Sequence, residues 1–146
     1  RKGKTGSSEI IQNISVHGGL MAAEKNFENK VKKFLKEQGC YFIKYWGGGA
    51  FTKSGVPDLL VCCNGYFVGV ELKAENGKPS ELQIHNLDEI NKSGGYGILL
   101  YPEKFNQFKQ FIWLLKYPFC NDECLNATDY FQENFYNQQV IKNDIF

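Results

Sequence analysis

Two β-prone runs of this sequence, residues 57–63 (PDLLVCC) and 66–73 (YFVGVELK), are separated only by the dipeptide Asn64-Gly65. Asn and Gly tolerate positive φ angles, so this dipeptide is typical of a type I′ turn and predicts a β-hairpin. A loop of two residues also fixes the pairing register, because the residues on either side of it must face each other. The hairpin is therefore the most constrained part of the chain.

This register brings charged residues together. Cys63 faces Tyr66, so Asp58 lies opposite Glu71 and shares its face of the sheet. Lys73, two residues beyond Glu71, projects from that face as well. Two facing carboxylates destabilise a strand pair unless something compensates, and a divalent metal is the simplest compensation. Because carboxylate oxygens suit Mg²⁺, or Mn²⁺ in its place, the pattern predicts a metal site.

A structural interpretation of the same residues stays open. An Asp after a proline often only begins a strand, and Glu71 with Lys73 could form a solvated edge. Gly69 favours the metal site, because it leaves room between the charges on their face. The opposite face of the second strand is apolar and is predicted to point into the core: Val68, Val70 and Leu72.

Periodicity and capping signals predict the other elements. They are a helix from Glu24 to Gln38 ended by Gly39, strands over 40–46 and 96–101, a helix from Ser80 to about Lys92, and a helix opened by Pro102. Gln83 stands at the capping-box distance from Ser80. The order α-β-β-β-α-β-α predicts an α/β fold in which helices flank a mixed sheet.

A chain of 146 residues suits one domain. Residues 1–20 are rich in Gly and Ser and are interpreted as flexible, as foreign to the natural protein, or as part of a longer chain. Residues 21–116 form the predicted domain and carry thirteen basic and ten acidic residues. Residues 117–146 carry one basic and five acidic residues and form an aromatic extension, packed on the domain or at a dimer interface. A nucleic-acid surface would therefore belong to residues 21–116.

The cysteines and the hydropathy limit the setting. Five cysteines, two of them adjacent, are poor material for a disulfide framework and indicate reduced thiols in the cytoplasm, or in the nucleoid of a host cell if a phage encodes the chain. Cys120 and Cys124 could form half a zinc site, but ordinary thiols are the simpler interpretation. No apolar stretch approaches the ~20 residues of a membrane span.

An ordered set of motifs carries a resemblance. GVPDLL (55–60), then VELK (70–73), then Gln83 in the following helix are similar to the VRR-NUC family of the PD-(D/E)xK nuclease superfamily. The set also resembles the archaeal Holliday-junction resolvases, which share that fold. The resemblance covers about residues 24–101, and the V-R-R motif itself is absent. It implies a restriction-endonuclease-like sandwich that hydrolyses phosphodiesters with Mg²⁺, or Mn²⁺ as a substitute.

The resemblance also implies roles for single residues. Asp58 and Glu71 would bind the metal, helped by the main-chain carbonyl of Leu72, and Lys73 would be catalytic. Gln83 matches the family's fourth motif, although a helix-cap role is equally visible.

An acid from the first helix should complete the catalytic and metal site in this family. It should be Glu28, which precedes Gly39 by eleven residues. Glu24 lies near the same helix face, so helical geometry alone leaves both open.

The glycine-rich loop 47–55 precedes Asp58 and is predicted to lie at the catalytic edge. Lys44, Lys53 and Ser54 could bind DNA phosphates there. Tyr45 and Trp46 could stack on bases, but aromatic residues of a strand are more often core.

The function predicted is a structure-selective DNA endonuclease acting on branched DNA, such as four-way junctions. One site cuts one strand, so a homodimer is expected, and the aromatic tail offers surface for it: Tyr130, Phe131, Phe135 and Tyr136. The alternatives are a flap, nicking or restriction-like nuclease, and a non-catalytic DNA-binding module on the same fold.

Overall fold

A computed structural model of the protein describes residues 7–47, 49, 52–118 and 126–139, without the side chains of 7–17 and 20. Its elements, in chain order, are α1 Ser7–Glu37, β1 Tyr41–Lys44, β2 Leu59–Cys63, β3 Tyr66–Leu72, α2 Glu81–Lys92, β4 Tyr96–Leu100, a 3₁₀ turn Pro102–Lys104, α3 Phe105–Lys116, α4 Ala127–Phe131 and a π-helical turn Gln132–Tyr136. The predicted order of helices and strands is confirmed up to α3. Among the described residues, no helix combines the length and hydropathy that a membrane span requires.

The sheet is mixed, with the strand order β1-β2-β3-β4. β1, β2 and β3 run antiparallel, and β4 joins β3 in parallel after the α2 crossover. Asn64 (φ 51°) and Gly65 (φ 84°) both have positive φ, as a type I′ turn requires. Cys63 pairs with Tyr66 and the ladder continues to Leu59 opposite Val70, so the predicted register is confirmed.

The two faces of the sheet are covered by different helices. One face packs against α1 and α3, and its residues Val68, Val70 and Leu72 are buried as predicted. α2 packs on the other face, over β3 and β4. Each face therefore meets one helical layer, which gives the sandwich arrangement.

Glycines on the α2 face allow the helix to approach the sheet closely. A Cβ at Gly97 would lie 2.3 Å from the carbonyl oxygen of Leu87, a distance that only glycine permits. A Cβ at Gly69 would lie 2.5 Å from Ile90 Cδ1 and 3.2 Å from Pro57 Cγ. The interpretation of Gly69 as room left for the charges is therefore wrong, since the packing of α2 and Pro57 fills that space.

α1 is longer than predicted, because it begins at Ser7 rather than at Glu24. The origin of residues 1–20 stays a prediction. The helix is stopped as expected by Gly39, whose φ is +69°. There the N–H of Cys40 donates to Leu35 O and that of Gly39 to Lys36 O, both at 3.0 Å, which is a Schellman cap.

Residues 126–139 of the extension pack on the domain. Phe131 and Phe135 are buried in the core, and the Phe131 ring lies 5.0 Å from that of Tyr96 and 5.8 Å from that of Phe111. These two side chains pack inside the domain, so they do not provide the exposed dimer surface expected of them. Cys120 and Cys124 lie outside the described residues.

Candidate active site

Asp58 is placed by the loop that leads into β2. Gly55 in this loop has φ +75°, and a Cβ there would come within 2.6 Å of Leu82 Cγ and 2.9 Å of Leu82 O. Glycine therefore lets the loop pack directly on α2. Asp58 follows, immediately before β2, and its Oδ2 accepts a hydrogen bond of 2.9 Å from the backbone N–H of Leu72. The Asp58 side chain is thus tied to the end of β3.

Glu71 lies beside Asp58 at that end, with only 2% of the residue exposed. Its Oε1 accepts hydrogen bonds from Lys73 Nζ at 2.8 Å and from Gln83 Nε2, and the backbone N–H of Asp58 also donates to the carboxylate. Burial raises the pKa of Glu71, and the negative charge of Asp58 raises it further, while the Lys73 ammonium acts in the opposite direction. The site therefore contains two interacting carboxylates, as the register predicts.

Gln83 caps α2, as expected, and also contacts Glu71, while its catalytic role stays a prediction. Its Oε1 accepts from the Ser80 N–H at 2.8 Å, and Ser80 Oγ accepts from the Gln83 N–H at 3.2 Å, so the capping box is complete. Its Nε2 points to Glu71. The N-terminus of α2 is thereby fixed to the buried carboxylate.

Lys44 connects Asp58 to α1. Its Nζ lies 2.8 Å from Asp58 Oδ1 and 2.9 Å from Glu28 Oε2, while Lys32 Nζ lies 2.8 Å from Glu28 Oε1. Glu28 is therefore the acid of α1 that shares a cation with Asp58. The Lys44 ammonium, predicted to bind DNA phosphates, is instead engaged by two site carboxylates.

The sequence alone does not identify Lys32 and Lys44 as partners of the site acids. For Lys32, the available signal is its spacing of one helical turn from Glu28. For Lys44 there is no such signal, because its bridge between Glu28 and Asp58 depends on how α1 lies across the sheet.

The pKa shifts of Glu28 and Lys44 favour the charged form of each group. Burial alone would raise the pKa of Glu28, but hydrogen bonds from Lys32 and Lys44 outweigh it and lower the pKa below its usual range. Burial likewise disfavours the charged form of Lys44, but hydrogen bonds to Asp58 and Glu28 raise its pKa. Each charge is stable in its half-buried place because an opposite charge contacts it.

A cleft of about 340 Å³ opens beside the two carboxylates. Asp58, Glu71 and Gln83 line one part of it, and Lys53 and Ser54 of the glycine-rich loop line another. The predicted phosphate-binding residues of this loop therefore share a cleft with the predicted catalytic residues.

The donor atoms present fit Mg²⁺ better than a metal that needs a full set of protein ligands. Among the described residues, no three His, Cys, Asp or Glu side chains converge to hold a metal. Mg²⁺ keeps several waters and is commonly bound by one or two carboxylates together with substrate phosphate. Asp58 and Glu71 can supply these carboxylates. The backbone N–H of Leu72 contacts Asp58, and metal binding by its carbonyl stays a prediction.

Comparison with known families supports the resemblance to resolvases. The family described as archaeal Holliday junction resolvase (Hjc) matches residues 22–100, more than half of the chain. The chain belongs to this family. It is a family of PD-(D/E)xK-type nucleases, and the predicted α/β nuclease fold is confirmed, whereas the VRR-NUC family is not specifically indicated. No curated protein and no solved structure gives a significant match.

We expect Lys44→Met to destabilise the protein by about 1–3 kcal/mol in EDTA, because Glu28 and Asp58 would lose a charge-assisted partner while remaining half-buried. Urea unfolding at neutral pH would measure the difference. Lys33→Met is the matched control, since the exposed Lys33 ammonium lies 3.9 Å from Glu37 on the surface of α1. Equal stability of the two variants would contradict the bridging interaction of Lys44.

Proposed function

We propose that the protein is a magnesium-dependent, structure-selective endonuclease that hydrolyses phosphodiesters in branched DNA, with four-way junctions as its substrates. Membership of a nuclease family supports hydrolysis. The observation that carries the proposal is the pairing of Asp58 with the buried Glu71 at one cleft, next to Lys73. A degenerate, non-catalytic copy of the fold would have no reason to keep a buried carboxylate beside a second one.

Asp58 and Glu71 would hold Mg²⁺, which when bound acidifies a water and neutralises charge on the phosphodiester. Gln83 restricts the rotation of the Glu71 carboxylate by donating to Oε1. Lys73 donates to the same oxygen, so its ammonium is held at the edge of the site. From there Lys73 orients the attacking water or stabilises the negative charge that develops on the phosphate.

The substrate is inferred from what the cleft can contact. Lys53 and Ser54 are suited to phosphates, and such contacts position DNA without reading its sequence. DNA shape is therefore the better basis for selectivity. A homodimer would place two sites across the two-fold axis of a four-way junction.

Asp58→Asn is expected to abolish magnesium-dependent cleavage while the fold and junction binding in EDTA persist, because the change is nearly isosteric but removes a ligand charge. Cleavage of labelled junctions and thermal melting with and without Mg²⁺ would test this. Asp88→Asn is the matched control, since Asp88 pairs with Lys92 on the surface of α2. A metal-induced rise in Tm that Asp58→Asn shares with the wild type would argue against a metal at Asp58.

Lys73→Ala is expected to lower the single-turnover cleavage rate at saturating DNA by about 10²- to 10⁴-fold, the usual contribution of a positioned proton-handling group. Junction affinity should change little. Lys92→Ala, which removes an exposed lysine of α2, serves as the control. Normal cleavage by Lys73→Ala at saturating DNA would reduce Lys73 to a phosphate contact.

The junction itself is tested by mapping cleavage on all strands of a four-way junction, a flap and a duplex, together with light scattering. We expect a homodimer that makes paired, symmetric nicks in the junction. A monomer that cuts one strand would instead favour a flap or nicking nuclease, with Asp58, Glu71 and Lys73 in the same roles.

A further inference from the structure

Trp46 is the most exposed large apolar side chain among the described residues, and its chain neighbours Tyr45 and Gly47 line the cleft of the candidate active site. It lies two residues beyond the end of β1, and 77% of the residue is exposed. The usual interpretation of a strand aromatic as part of the core is therefore wrong at this position. A single exposed apolar residue is common on protein surfaces and needs a further reason before it indicates binding.

That reason is the way in which the neighbouring backbone is held. The N–H of Tyr45 donates to the carbonyl oxygen of Asp58 at 2.9 Å, and Tyr45 Oη donates to the carbonyl oxygen of Lys53 at 3.1 Å. Tyr45 is thus bonded to the residues on both sides of the cleft. The backbone that leads into Trp46, the next residue, is therefore held close to Asp58.

The surroundings of the ring leave it open to a planar ligand. Lys44 Nζ lies 5.6 Å from the centroid of the Trp46 ring, and the same ammonium contacts Asp58 Oδ1 at 2.8 Å. Gly47 follows, and a Cβ there would meet nothing closer than the Tyr45 ring at 3.9 Å. The Trp46 ring therefore stands beside the charge cluster of the site, and most of its surface is free.

We propose that Trp46 is a base-stacking residue that recognises the branch point, by packing its ring on the nucleobase exposed where the DNA helices diverge. The proposal rests on the proposed function. In continuous duplex each base is stacked on both sides and offers no free π face. At a branch point a base can expose one, and stacking on it tolerates any sequence because every base has a π face.

This stacking would couple shape recognition to chemistry. A base held on Trp46 keeps its own phosphate close to Lys53, Ser54 and the two carboxylates, which line the same cleft as Tyr45. Only DNA that supplies an exposed base would be seated in this way. Selectivity for branched DNA then arises without hydrogen bonds to base edges.

The first test compares binding in EDTA, where cleavage does not occur, for a four-way junction and a duplex of the same length. Trp46→Ala should weaken junction binding by about 5- to 160-fold, from the ~1–3 kcal/mol that one stacked base contributes, and leave duplex binding unchanged. Trp46→Phe should retain part of the affinity because it keeps a ring. Tyr41→Ala is the matched control, since Tyr41 is 68% exposed at the other end of β1.

The second test is spectroscopic and uses the only other tryptophan, Trp113. In Trp113→Phe, emission from Trp46 should be quenched by the junction and not by the duplex. In Trp46→Phe, emission from Trp113 should not change. A 2-aminopurine at the branch point should be quenched by the wild type and not by Trp46→Ala.

The outcomes separate this inference from the proposed function. Equal junction affinity of Trp46→Ala and the wild type, or an equal loss on junction and duplex, would overturn the stacking role while leaving nuclease activity intact. Junction-specific quenching of Trp46 without magnesium-dependent cleavage would support stacking and sink the proposed catalysis. A wild type that binds no DNA would overturn both.

Discussion

Glu71 carries an ionisable carboxylate into the space between β3 and α2, where 2% of the residue is exposed. A charge in that position would be expelled or neutralised unless its oxygens were hydrogen-bonded and an opposite charge lay nearby. Lys73, Gln83 and the backbone N–H of Asp58 provide this compensation. The position of Lys73, the start of α2 and the end of the Asp58 loop are therefore all tied to one buried carboxylate.

The site lies at the end of the sheet, where the helical layers of both faces reach it. Glu28 comes from α1, on the core face, and Gln83 comes from α2, on the other. Lys44 and the Asp58 carboxylate connect the two sides. A change in the packing of either layer would alter the distance between Asp58 and Glu71, so the sandwich and the geometry of the candidate site are coupled.

The close packing of α2 on the sheet fixes the geometry of the candidate site. Glycine at positions 55, 69 and 97 removes the Cβ atoms that would hold the helix away from the loop and the sheet. The capping box then fixes where α2 begins, which sets the reach of the Gln83 amide. The close contact of α2 with this face of the sheet thus positions the side chain of Gln83, which belongs to the helix and not to a strand.

Local interactions made a large part of this structure predictable. Asn64 and Gly65 set the turn and with it the register that places Asp58 beside Glu71, because a two-residue loop allows one pairing. Ser80 and Gln83 determine the start of α2 through bonds that span three residues. The order of motifs was enough to indicate the nuclease family.

Only the tertiary structure decided the rest, because it depends on contacts between residues far apart in the chain. Lys44 bridges Glu28 and Asp58 once α1 crosses the sheet, and no local pattern encodes that crossing. The space beside Gly69 is filled by the packing of α2, and the alternation of side chains along a strand does not reveal this packing. Trp46 is exposed two residues beyond the end of β1, and the place of β1 at the edge of the sheet is set by the strand order.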